Sequence, residues 1–233
     1  MAISPEGMLD GITAAGIVLS ATLFGLFSLY KAIKLKAKLL GVAALTMVFT
    51  GLLWLGPFID FIFVLTTGKN IDPIQVYSIL SYTWVAPALL VSMYLGGELI
   101  WPKGKWIIVT ILLALGIIFE MFLWFNTMHS FEFTLDKPGE DLIDASFVRT
   151  HPTFLLVAVF LVSTLVFLGI GFLIKAKQAT GELRRKFLFL SIAFIIFVLT
   201  GALDSILPLG IGIGFIRVVM MTYAIWLYLG LKT

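Results

Sequence analysis

The chain has no cysteine and only two histidines, His129 and His151, among its 233 residues. Without cysteine neither a disulfide nor a thiolate metal site can form, so thiol chemistry is excluded. The two histidines sit in or beside one long hydrophilic connection, and the intramembrane histidine clusters of haem-binding and metal-hydrolase helical enzymes are absent. No short fixed spacing ties them to Glu132, Asp136 or Asp144, so no metal is expected. A membrane serine protease needs a serine and a histidine within the bilayer, and an aspartyl type needs paired intramembrane aspartates. Asp60 and Asp204 stand in no such motif, and neither an enzyme nor a cofactor is expected. Charge is scarce too: Asp, Glu, Lys and Arg make up 12% of the chain, against about a quarter in soluble domains.

What the chain has instead is apolar length. Hydrophobic residues make up 61%, and the mean hydropathy is +1.10. Crossing a hydrocarbon core about 30 Å thick takes about 20 apolar residues. Seven such stretches occur, at 10–30, 39–66, 74–97, 106–127, 153–174, 187–207 and 210–230. They run on continuously, as from Phe154 to Ile174, without the alternation of a transmembrane barrel, so helices are favoured. The expected fold is an all-α bundle of seven transmembrane helices in one membrane domain, 1–233. The first cation, Lys31, follows the first span, so the N-terminus lacks the basic region of a secretory signal and the first segment is expected to stay as a helix.

The cations set an orientation. Lys31, Lys34, Lys36 and Lys38 follow the first span, Lys103 and Lys105 the third, and Lys175, Lys177, Arg184, Arg185 and Lys186 the fifth. With Lys232 they predict a cytoplasmic face and C-terminus and an outside N-terminus, in the cell membrane. The opposite face has Lys69, Lys137 and Arg149 against Glu6, Asp72, Glu132, Asp136, Glu140, Asp141 and Asp144. A pI near 9.1 could suggest nucleic acid, but the basic residues lie at helix ends, where they set topology and meet anionic lipid. Membrane lipid is therefore an expected partner and nucleic acid is not.

Pro57, Pro73, Pro102, Pro152 and Pro208 lie near helix ends or in loops, whereas Pro87 lies well inside the third span. It removes a backbone donor there and predicts a kink near Trp84 to Pro87. The outer connection, 128–152, carries Phe131, Phe133 and Leu135 in alternation, then Asp136, Lys137, Pro138 and Gly139, a short strand entering a turn. It is expected to be a solvated loop with a little local structure, with a lid over the outer mouth as the alternative. Small residues at Gly16 and Ser20, Ala21 and Gly25, Gly201 and Ser205, and Gly210 and Gly214 permit close helix contact. The run Gly210, Gly212, Gly214 follows no soluble strand, so it is not a phosphate loop. The absence of an internal repeat weakens transporter folds built from duplicated halves.

Arg217 is the charge inside the last span, and an ionised group at the bilayer centre costs about 2.5–3.5 kcal/mol on insertion scales. Three carboxylates fall in the same outer half. Asp60 lies toward the outer end of helix two, Glu120 one and a half to two turns from the outer end of helix four, and Asp204 near the outer end of helix six. At 1.5 Å per residue Arg217 is about 10 Å below its helix start, within reach of Asp204 across a short turn. Gln75, Tyr77, Ser78, Ser81, Tyr82 and Trp84 give helix three a polar, aromatic outer half. Asp60, Tyr77, Tyr82, Trp84, Glu120, Asp204 and Arg217 are the candidate ligand-binding set. Three anions against one cation require a held proton, admitted water or a bound cation. A simple lock of Asp204 on Arg217, with Asp60 and Glu120 reaching interfacial water, is the plainer alternative.

Seven helices with an outside N-terminus resemble rhodopsins and G-protein-coupled receptors in topology, but Arg217 stands where a retinal lysine would be needed, and the usual receptor disulfide has no cysteine to form it. Gly181, Arg184, Arg185, Lys186, Phe187 and Leu190 entering helix six, with Gly201, Leu203 and Asp204 near its end, resemble the seven-helix sensor regions of prokaryotic histidine kinases over the whole chain. This chain stops at Thr233 without a kinase domain, so output is expected through a separate signalling protein at the cytoplasmic face. The expected function is that of a sensor-like or receptor-like membrane protein that binds a small ligand in an outward-facing polar pocket near Glu120, Asp204, Arg217, Tyr77 and Tyr82. A small-solute or ion carrier, in which Glu120 exchanges a proton, and a scaffold without a ligand are the alternatives.

Overall fold

The computed structural model describes residues 3–207 and 211–232. Seven helices are long and apolar enough to cross a membrane: α1 Pro5–Lys34, α2 Lys38–Thr67, α3 Gln75–Ile100, α4 Lys105–Phe125, α5 Pro152–Gln178 and α6 Gly181–Asp204, with α7 Ile211–Leu231. The chain is a multi-pass, all-helical membrane bundle whose described residues add one small hairpin. Several helix ends overrun the hydropathy windows because lysine-bearing turns continue the helix without being apolar, whereas α4 and α6 stop short of theirs, at Phe125 and Asp204. The largest difference at a described start, Gly181 against 187, covers Arg184, Arg185 and Lys186. α1 also begins five residues early, since Ser4 Oγ accepts the Gly7 N–H at 3.0 Å, Pro5 takes the first position and Glu6 the first turn. Pro208 and Gly210 lie outside the described residues.

Three helices are interrupted, each for a local reason. α2 tightens into a 3₁₀ turn at Leu52–Trp54 just ahead of Pro57. α3 breaks after Tyr82 and resumes at Val85, where Pro87 cannot donate to the carbonyl four residues back, so the kink falls where the sequence predicts it. α5 widens into a π-helical turn at Leu165–Ile170, and Ser191 Oγ of α6 donates to Gly169 O at 2.7 Å.

Packing joins α1 with α2 and α7, α6 with α5 and α7, and α3 with α2, α4 and α5. α4 is peripheral: its buried positions are Leu112, Gly116, Phe119 and Leu123, and apolar residues such as Ile117, Met121 and Trp124 face outward. The three short connections of the lysine-rich end are Leu35–Ala37, Trp101–Gly104 and Ala179–Thr180. At the opposite end, β1 Phe131–Thr134 pairs antiparallel with β2 Asp144–Phe147, with Phe131 opposite Phe147. The hairpin is more than a solvated loop. Phe131, Ala145 and Phe147 belong to one buried cluster with Tyr77, Phe119 and Phe160 of α3, α4 and α5, because the strand alternation turns these side chains to one side.

Candidate functional site

Arg217 is only 5% exposed and is held by two carboxylates. Its Nε donates to Asp204 Oδ1 at 2.8 Å, and its Nη1 is in ion-pair contact with Asp10 Oδ1. Asp204 is the last residue of α6, which brings its side chain within reach across the turn to α7. Asp10 reaches from α1 because α7 comes very close there: a Cβ on Gly214 would sit 2.3 Å from Leu9 Cδ2. One guanidinium thus ties α1, α6 and α7 together, and a buried ion held on two sides avoids the cost of a lone one.

A cavity of about 100 Å³ lies beside this network, beneath the hairpin. Tyr77, Tyr82, Asp204 and Arg217 of the candidate set line it, joined by Trp54 and by Asp144 of β2. α3 is brought close by Gly56, whose N–H donates to Ser81 Oγ at 3.0 Å; a Cβ there would meet Tyr77 O at 2.4 Å. The Tyr82 ring stacks on Phe131 with centroids 4.9 Å apart, and its hydroxyl donates to Ala145 O at 3.4 Å, fixing the hairpin as the roof. Asp144 and Ser146 also line a second chamber of about 390 Å³, together with Glu6, Asp10, Asp136 and Asp141. β2 is therefore the partition between an acidic vestibule and the cavity. Burial holds the Asp144 carboxyl above the usual carboxylate range, partly offset by hydrogen bonds from the Ala145 N–H and the Ser146 hydroxyl.

The structure separates the other candidates from this cavity. Asp60 is fully buried, but it accepts bonds from Asn70 Nδ2 at 3.0 Å, Ile71 N at 2.8 Å and Ile143 N at 2.9 Å. It anchors the loops instead of facing Arg217, because both its oxygens are engaged by their N–H groups. Glu120 is half-buried at the edge of the α3–α4 contact, where Trp124 Nε1 donates to its Oε2 at 3.1 Å in an apolar crevice with Ala86, Ile117 and Met121. It shares the outer-half sequence depth but not the azimuth of Arg217. Trp84 stacks on Phe49 at 5.9 Å and stands outside the cavity lining.

Asp10 and Asp144 are site carboxylates beyond the sequence-based set. The signal for Asp10 was the helix start Ser4-Pro5-Glu6, which puts it more than a turn inside α1. Asp144 carries no comparable signal, since its place depends on strand pairing. Comparison with known proteins finds no match to this chain among family models, curated proteins or solved structures.

Proposed function

We propose that the protein is a sensor-like seven-helix membrane protein that binds a small ligand in the hairpin-capped cavity, with the hairpin end outside and the lysine-rich end in the cytoplasm. The observation that carries this reading is the cavity itself, which adjoins the Arg217 link between α1, α6 and α7. A ligand that competes for Asp204 or Arg217 binds two helix arrangements unequally and so shifts their populations. The shift would reach the basic loops, where a separate signalling protein docks.

The packing of the inner half supports sensing over transport. Apart from a small chamber of about 80 Å³, the interior toward the lysine-rich half is filled by residues such as Met47, Met220 and Leu227, all fully buried. Glu120, the proton carrier of a transport mechanism, is remote from the cavity lining.

The test is a thermal-shift screen of the protein in nanodiscs against small organic cations, carboxylates, sugars, amino acids and nucleosides, repeated with Gly201→Leu, which fills the cavity from α6, where an added Cβ meets only Leu161 Cδ2 at 3.8 Å. Saturable shifts that disappear in the filled variant are expected. Accumulation of the same compound in proteoliposomes would replace sensing by transport. Shifts indifferent to the filled cavity, or no shifts at all, would leave the scaffold.

A further inference from the structure

The electrostatics and the shape of the two chambers specify a ligand class, on the reading that the cavity is a ligand site. The vestibule is lined by Glu6, Asp10, Asp136, Asp141 and Asp144, with no lysine or arginine among its described residues. Asp10 is 7% exposed and gives its charge to Arg217, so Glu6, Asp136, Asp141 and Asp144 set the sign of the vestibule. In the cavity, Arg217 is already engaged by Asp10 and Asp204. Asp10, Asp144 and Asp204 therefore outnumber the one cation, and an anionic ligand is disfavoured at both stages.

The walls then decide between an inorganic and an organic cation. Among the described residues no three of His, Cys, Asp or Glu are gathered to hold a metal ion. Trp54, Tyr77, Tyr82, Phe147 and Phe197 line the cavity instead, and aromatic faces attract ammonium groups. A third chamber of about 80 Å³ continues inward and shares Leu53, Val85, Val157, Leu161 and Phe197 with the first. Its threonine hydroxyls are committed to helix carbonyls, Thr46 to Val42 O, Thr50 to Thr46 O and Thr164 to Phe160 O. That leaves an apolar lining of the kind a short hydrocarbon chain fills.

We propose that the site takes a small organic cation, an ammonium group bearing a short apolar chain. The ammonium lies between Asp144 and Asp204 against the aromatic walls, and the chain enters the inner chamber. The vestibule carboxylates draw the cation in, and Asp144 receives it at the partition.

Saturation-transfer NMR on the full chain in nanodiscs, with n-butylammonium, butan-1-ol and n-butyrate as probes, tests the assignment. Expected are binding of the amine, no binding of butyrate, and binding of the alcohol about tenfold weaker, the loss that goes with a desolvated charge contact. Asp144→Asn should weaken the amine by about the same factor and leave the alcohol unchanged. Ala88→Leu, on the inner chamber alone, should weaken n-butylammonium and spare methylammonium. Butyrate or butan-1-ol binding as tightly as the amine, yet blocked by Ala88→Leu, overturns the cation and keeps the pocket. Binding of none of the three probes also overturns the cation, and the broad screen with Gly201→Leu then decides independently whether the pocket reading stands.

Discussion

At the scale of single residues, Arg217 is the point on which three helices agree. Arg217→Ala leaves Asp10 and Asp204 buried near one another without a cation, which costs on the order of 3–5 kcal/mol. Thermal unfolding in detergent should show that loss, and adding Asp10→Asn and Asp204→Asn to the same chain should recover part of it. Strictly additive losses would remove the pairing. Asp144 gives a second, pH-dependent readout. Glu6, Asp10, Tyr77, Tyr82, Asp204, Arg217, Asp136 and Asp141 share the two chambers with it. Burial raises its folded-state pKa, so its contribution to stability is present below the ordinary carboxylate value of about 3.9 and is lost as pH rises through the raised value. Melting temperature against pH should flatten over that window in Asp144→Asn; an unchanged profile would assign the dependence to another group. The Asp204 to Arg217 pair is legible in the sequence because two charges in apolar segments face each other across a short turn. Glu120 is not, since α4 is apolar all round and hydropathy gives its depth without its direction. Its buried stripe, Leu112, Gly116, Phe119 and Leu123, emerges only from packing.

At the scale of elements, the hairpin is held by one buried carboxylate. Asp60 of α2 receives Ile143 N, beside β2, and Ile71 N from the α2 to α3 loop. Asn70 links the same loop to Asp141 O at 2.9 Å and to Gly139 N at 2.7 Å. Asp60→Ala strands those donors, and each unsatisfied buried group costs about 1–3 kcal/mol. Faster hydrogen exchange at Ile71 and at Ile143 to Phe147, with exchange in α6 unchanged, is the expected result; unchanged exchange in the hairpin would remove the anchoring role. The first strand is legible from the alternation Phe131, Phe133, Leu135, and the α3 break from Pro87. The pairing with Asp144–Phe147 is not, because that stretch is too short and mixed to declare a face before it meets Tyr82. The wide turn of α5 is hidden as well, in a run that reads as continuous apolar helix.

At the scale of the whole molecule, seven spans are legible because hydropathy over about 20 residues integrates a strong signal, whereas their arrangement, with α4 at the edge, depends on shape. The proposed orientation is testable because the chain is free of cysteine. A membrane-impermeant maleimide applied to intact cells should label Lys137→Cys and spare Lys36→Cys. The reverse pattern would invert the bundle and put the acidic vestibule in the cytoplasm. The hairpin end also has a kinetic consequence. The N-terminal segment joins the anchorage through Ser4 N, which donates to Glu140 O at 2.9 Å, so the roof is tied to α1, α2 and the α2 to α3 loop together. A roof fixed at three places does not swing open, and passage from vestibule to cavity falls to side-chain rotation of Asp144 and Ser146 in the partition. Such rotations take nanoseconds where loop opening takes microseconds or longer. Exchange of an occupant would then be timed by its arrival and its grip, with no slow gate of the protein's own setting the pace.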